Sequence, residues 1–301
     1  MDELKKLGKF YYLPNKGNLG DVLLAFSTYQ FFDAHNFDYE VFDMTNVSSY
    51  DKPFNFVYGG GGIWNGLYKP DYQEILDVFQ NPLLKKCVIL PSSFYDCDDV
   101  LEILDERFTV FCREEQSYKY CTSLNKKARF LLASDMAVNA DLECFYGEIY
   151  NNENVRRLLS CDNKLVNMYN VIFNRYMFVY NNISTGLANI DNRHVGYMLR
   201  EDRESLDNKR KKSNNNIDLS GLGGGFCTDK SYDVLLSLLF VATINLFDVI
   251  VTDRLHIAIC AAKLNKQVIL LDNSYKKNSS VYNYSIKSFK NVHLTTAENI
   301  E

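Results

Sequence analysis

Short apolar runs alternate along this chain with stretches of helical spacing, and that alternation restricts the fold more than any other feature. Phe10-Tyr11-Tyr12-Leu13, Phe54-Asn55-Phe56-Val57-Tyr58, Cys87-Val88-Ile89-Leu90 and Phe108-Thr109-Val110-Phe111 read as strands in the first half. Val22 to Phe32 follows the first of them with helical spacing, and a helix-like segment from Asp98 to Glu106 separates the last two. Alternation of this kind predicts a parallel sheet wrapped by helices. The second half follows the same order, with Val195 to Leu199, strand-like Ile217-Asp218-Leu219, a core helix from Val234, a strand from Phe247 to Val251, a helix from Ile257 and a strand from Val268 to Leu271. Between the halves, Asn139 to Ile190 is rich in Asn and Tyr, with apolar residues from Leu158 to Met177 at helical intervals. The expected architecture is α/β: residues 1–145 and 191–301 as two doubly wound domains facing across a cleft, joined by a helical linker at 146–190. Lys209 to Asn216 reads as an exposed basic loop.

Composition excludes several classes of function. At 301 residues, 47% hydrophobic and 24% charged, the chain has the make-up of a globular protein large enough for two domains. A net charge of −5 argues against a nucleic-acid partner. The 8 cysteines form no CxxC pair, so no metal site is expected. Cys87, Cys112 and Cys260 lie in apolar runs that suit buried thiols of a reducing compartment. Met1 to Lys9 is charged and lacks the apolar core of a signal peptide, and no run reaches the roughly 20 apolar residues of a membrane span. The expected location is the cytoplasm.

Chemistry concentrates on Val251-Thr252-Asp253-Arg254-Leu255-His256, a strand-to-helix turn. It lies at the carboxyl end of a strand, where open α/β sheets bind ligands, and the following helix offers N–H groups and a positive dipole end to an anion. Arg254 adds a permanent planar cation and His256 a group that moves protons near neutral pH. Arg200 and Arg203, after the first strand of the second half, lie at the edge expected to face Arg254, either converging on one anion or forming a solvated charge run. In the first half, Asn15 to Asp21 joins strand to helix, and Asp21 either caps that helix or accepts a substrate hydroxyl. Gly59 to Gly62 allow close backbone approach, and the neighbouring Trp64 offers a face for a sugar. Arg113 ends another strand, either holding an anion or lying in a solvated first helical turn, and Asp135 follows a strand, where capping is the simplest role.

Taken together these pieces resemble the polysaccharide pyruvyl transferase family. The resemblance rests on Gly17 to Asp21, the glycine run, Arg113-Glu114, Asp135, Thr252 to His256 and Asp272-Asn273-Ser274-Tyr275-Lys276. It implies two Rossmann-like halves arranged as in GT-B glycosyltransferases, and transfer of a pyruvyl group from phosphoenolpyruvate to a sugar of a polysaccharide or its lipid-linked precursor as a cyclic ketal. Phosphoenolpyruvate is then a donor substrate and no cofactor is expected. In that scheme His256 and Arg254 are catalytic, and Arg200, Arg254, Leu255 and His256 hold phosphoenolpyruvate. Asn18, Asp21, Gly60, Gly61, Trp64 and Arg113 hold the acceptor. Two alternatives stay open: a GT-B glycosyltransferase using a nucleotide sugar, and an inactive family member that binds glycan.

Overall fold

The computed structural model describes residues 1–15, 17–42, 44, 51–145, 189–190, 193–202, 204–205, 216–219, 230–273 and 276–295. Residues 146–188 of the expected linker, Arg203, residues 209–215 of the basic loop, and Ser274 with Tyr275 lie outside the described residues, while the linker's last two residues form a short strand.

After a short helix α1 (Asp2–Lys5), the first half runs β1 (Phe10–Leu13), α2 (Leu19–Ala34), β2 (Tyr39–Val41), β3 (Phe54–Tyr58), α3 (Lys69–Phe79) and β4 (Leu84–Ser92). It continues with α4 (Asp98–Ile103), β5 (Phe108–Cys112), α5 (Glu115–Leu124) and β6 (Arg129–Leu132). These six strands form one parallel sheet in the order β2-β1-β3-β4-β5-β6. The order reverses between β1 and β3, so the turns leaving those two strands diverge and open a crevice at their carboxyl ends.

The second sheet has the order β11-β10-β9-β8-β7. Its members are β7 (Asn189–Ile190), β8 (Arg193–Met198), β9 (Val249–Thr252), β10 (Gln267–Leu271) and β11 (Val292–Thr295). Four of these strands run parallel, and β7 pairs antiparallel with β8. The helices are α6 (Lys230–Asn245), α7 (Leu255–Lys263) and α8 (Lys277–Val281). Ile217 to Leu219, read from sequence as a strand, is irregular. Asn216 alone bridges to Tyr197, and the Ile217 amide donates to the Tyr197 carbonyl at 2.8 Å.

Helix α2 connects the two sheets through packing. It carries apolar residues on every face, a pattern that suits a helix covered on all sides. Ala25, Tyr29 and Phe32 pack with Phe10, Tyr12 and Val88 of the first sheet. Leu19, Val22, Leu23 and Phe26 join a different cluster with Leu235, Leu236 and Phe240 of α6 and Ile257 and Ala258 of α7. The same helix therefore fixes where the first turn of α7 stands relative to the end of β1. Leu23 is wholly buried in the cluster with α6 and α7. Leu23→Ala is expected to cost about 2–5 kcal/mol in urea unfolding, as large-to-small core changes do. A loss below 1 kcal/mol would contradict this packing.

Candidate active site

A cleft of about 520 Å³ lies where the turns after β1 and β3 meet the first turn of α7. Its walls include Asn18, Asp21, Gly62 and Arg113 from the first half, and Arg200, Arg254, Leu255, His256 and Lys277 from the second. Residues far apart in sequence thus share one concave space.

The end of β1 is shaped by local capping. The Asn18 side chain accepts from the Gly20 amide at 2.8 Å, and the Asp21 carboxylate accepts from the Asn18 amide at 3.0 Å. This reciprocal pair satisfies amides that a helix start leaves without intrahelical acceptors. Asn15 Nδ2 reaches Asp21 at 3.3 Å and its Oδ1 accepts from the Tyr58 hydroxyl at 2.9 Å, tying the turn to β3. Of the two roles open to Asp21, capping is therefore occupied, while its carboxylate still lines the cleft.

Gly20 shows why this turn needs a residue without a side chain. A Cβ there would come within 2.8 Å of both Cβ and Nδ1 of His256. The glycine turn of the first half and the histidine of the second are in contact.

At the other side of the ring, His256 Nε2 lies 3.4 Å from Asp135 Oδ2. The same oxygen accepts from Arg113 Nη1 at 2.7 Å, and Arg113 Nε donates to Ser93 at 2.8 Å. Asp135 Oδ1 accepts from the Ala137 amide at 2.9 Å, so the carboxylate both caps a 3₁₀ turn and orients the imidazole. Burial works to raise the Asp135 pKa, but His256 and Arg113 outweigh it and hold the carboxyl well below the ordinary range. An ionised carboxylate fixed to one ring nitrogen sets the tautomer and leaves the other nitrogen for exchange.

The strand ends of the second sheet position the two arginines. Thr252 Oγ1 donates to the Met198 carbonyl at 2.6 Å and accepts from the Arg254 amide at 3.0 Å. Asp253 accepts from the Arg200 amide at 2.8 Å. Arg254 is bound by Asp218 at 2.8 Å and 2.5 Å and by Asp202 at 3.0 Å. Arg200 meets Glu204 at 2.5 Å and Asp202 at 3.0 Å. Arg200 and Arg254 thus both reach one carboxylate, the chain's own Asp202. Glu204 also takes Lys277 at 2.8 Å and the Tyr68 hydroxyl at 2.9 Å, which joins the two halves across the cleft. Burial tends to raise the Glu204 pKa, but Lys277 and Arg200 hold the carboxyl well below its usual value.

Three expected acceptor residues are not at the cleft surface. Trp64 is wholly buried, its ring 5.1 Å from Tyr58 and stacked on Phe94 at 6.2 Å, so it has no face for a sugar. A Cβ on Gly60 would lie 2.4 Å from the Pro91 carbonyl oxygen. Gly61 adopts φ +131°, and its amide and carbonyl bond to Pro91 and Ser93. Those glycines admit the neighbouring strand end, not a ligand. Gly62, one residue on, lines the cleft beside Arg113.

Sequence reasoning missed Asp202, Glu204, Lys277, Tyr68 and Asp71 as cleft residues, and gave Asp135 only a capping role. The Arg200–Glu204 spacing and the neighbouring Asp272–Lys276 segment were signals for two of them. Nothing local marks Tyr68 or Asp71. Asp71, in the first turn of α3, is exposed and has no bonding partner among the described residues.

Gly20→Ala is expected to displace His256 and remove most activity while circular dichroism stays native; full activity would contradict the contact. Glu204 also makes an acid-stability signature. Its folded pKa is depressed, so its stabilising contribution is complete above the unfolded value of about 4.3 and fades as pH falls below it. Glu204→Gln should melt lower than wild type at pH 7 and lose less on further acidification. Parallel melting curves across the acid range would show that Glu204 is not so paired.

A search of curated proteins finds no match. A solved structure of a functionally uncharacterized protein from Klebsiella pneumoniae subsp. pneumoniae superimposes with a TM-score of 0.72. The two are 26% identical, over 98% of this chain and 95% of the other. The family model for polysaccharide pyruvyl transferase matches residues 18–275, a span that holds the Asn18 cap, Arg113, Asp135, both cleft arginines and His256. The chain belongs to the polysaccharide pyruvyl transferase family.

Proposed function

We propose that this protein transfers the pyruvyl group of phosphoenolpyruvate to two hydroxyls of one sugar, forming a cyclic ketal. The observation that carries the reading is the Asp135–His256 pair opening into the same cleft as Arg200, Arg254 and Lys277. A donor with a carboxylate and a phosphate calls for fixed cations, and its methylene carbon calls for a proton carrier. A cleft of about 520 Å³ is within the range of small-molecule sites and suits a small donor beside a sugar ring.

In this reading His256, held at Nε2 by Asp135, delivers a proton from Nδ1 to the methylene carbon. C2 becomes electrophilic and the first sugar hydroxyl adds to it, returning its proton to His256. The C2–O bond to phosphate then breaks, with Arg200, Arg254 and Lys277 balancing the charge of the leaving group. The second hydroxyl adds to C2 and its proton leaves with phosphate. Leu255 and the first turn of α7 present backbone N–H groups to the donor. Asn18, Asp21 and Arg113 hold the sugar from the first half, and the Asp71 carboxylate accepts one of its hydroxyls. The acceptor belongs to a polysaccharide or its lipid-linked precursor, and no cofactor enters the scheme. Residues 1–145 and 191–301 then act as two Rossmann-like domains in a GT-B arrangement, acceptor on the first and donor on the second. No described helix is long and apolar enough to cross a membrane.

Ligand-dependent melting separates this reading from the nucleotide-sugar one. Phosphoenolpyruvate should raise the melting temperature, by mass action on the folded state, while UDP and GDP should not. The reverse pattern would refute the donor assignment. In turnover, Arg254→Ala should raise the half-saturating phosphoenolpyruvate concentration at least tenfold. His256→Ala should fold and bind the donor but release phosphate at least a hundredfold more slowly, the usual scale of lost acid–base catalysis. Unchanged turnover in His256→Ala would remove it from the chemistry.

A further inference from the structure

Arg200 and Arg254 close on a carboxylate of their own chain, and the way it is held differs from the way the other two site carboxylates are held. Asp202 Oδ1 meets Arg200 Nε at 3.0 Å. Asp202 Oδ2 meets Arg254 Nη1 at 3.0 Å and Arg200 Nη2 at 3.3 Å, so one oxygen touches both guanidiniums. Both arginine side chains are buried, at 6% and 7% exposure, whereas the Asp202 side chain is 36% exposed. Glu204, at 3%, is anchored by Arg200, Lys277, Tyr68 and Asn273. Asp218, at 11%, makes two short bonds to Arg254. Among the described residues, Asp202 accepts beyond the arginines only from the Glu204 amide, at 3.1 Å.

We propose that Asp202 is a built-in competitor at the anion site: its carboxylate occupies the place of a ligand anion between Arg200 and Arg254, and a ligand binds by displacing it. Rotation of one solvated side chain frees the position, and the arginines stay in place because Glu204 and Asp218 hold them. The exchange swaps one anion for another. A monoanion such as pyruvate therefore gains about what the site loses, and binds weakly. A ligand gains a net advantage by bringing a second anionic group that reaches Lys277 or the first turn of α7. Burial disfavours the Asp202 charge, but the two arginines hold its carboxyl below the ordinary range, so the competitor stays charged at neutral pH. The identity of the natural ligand as phosphoenolpyruvate rests on the reading above; the displacement does not.

Calorimetric titration of wild type and Asp202→Asn with pyruvate, inorganic phosphate and phosphoenolpyruvate tests this. Asp202→Asn keeps size and loses charge, and should bind pyruvate and phosphate about tenfold more tightly. Phosphoenolpyruvate, which displaces the same carboxylate, should tighten by a similar factor. Asp202→Glu, which restores the charge, should stay near wild type, and Asp202→Ser stands in for Asn if that variant fails to fold. Anion affinities that are unchanged, weaker or absent in the neutral variants would overturn the proposal and leave donor transfer untouched. Tighter phosphate binding in the variant, with no binding of phosphoenolpyruvate in either protein, would uphold the displacement and defeat the donor reading.

Discussion

Asp135 has no exposure to solvent, and one of its oxygens holds Arg113 from the end of β5 and His256 from the start of α7. A carboxylate taken out of water costs several kcal/mol unless it is paired and hydrogen-bonded. Arg113 from the first sheet and the Ala137 amide offset that cost, and the imidazole from the second sheet adds a third contact to the same carboxylate. Asp135 is therefore also a joint between the two sheets. Gly20 completes it from the opposite side, because a side chain there would push the ring away.

The rest of the cleft follows the same logic of buried cations matched by carboxylates. Arg200, Arg254 and Lys277 are nearly buried, and Glu204, Asp202 and Asp218 balance them. Removing one partner of such a network typically costs 3–5 kcal/mol, about the scale that keeps each side chain in one orientation. Helix α2 makes the arrangement reproducible, since its two packed faces fix the glycine turn at its start against the first turn of α7. Dipole, guanidinium and imidazole then point into one volume without any of them moving.

The strands buried on both faces were legible because their apolar runs are continuous, as at Cys87 to Leu90 and Val249 to Val251. Edge strands were not. Tyr39–Val41 is three residues with a central Glu, too short a signal to read, and Arg129–Leu132, which opens on an exposed Arg, entered only as the strand before Asp135. Turn motifs pointed to Asn18, Arg113, Arg254 and His256, all of which line the cleft, because their types suit the carboxyl ends of strands. Trp64 misled, since its neighbours in space, Phe94 and Tyr72, come from other segments, and adjacency to glycine suggested an exposed face. The charges from Arg200 to Glu204 were visible, but which carboxylate would face which arginine is a property of three dimensions.

The central claim is that this cleft moves a pyruvyl group, and one assay addresses it directly. Phosphate release from phosphoenolpyruvate is recorded with a panel of galactosides, glucosides and mannosamine derivatives, and each product is weighed by mass spectrometry. The account predicts release that depends on one acceptor, with that acceptor heavier by a single pyruvyl ketal. Consumption of UDP- or GDP-sugars with no phosphate released from phosphoenolpyruvate would contradict it.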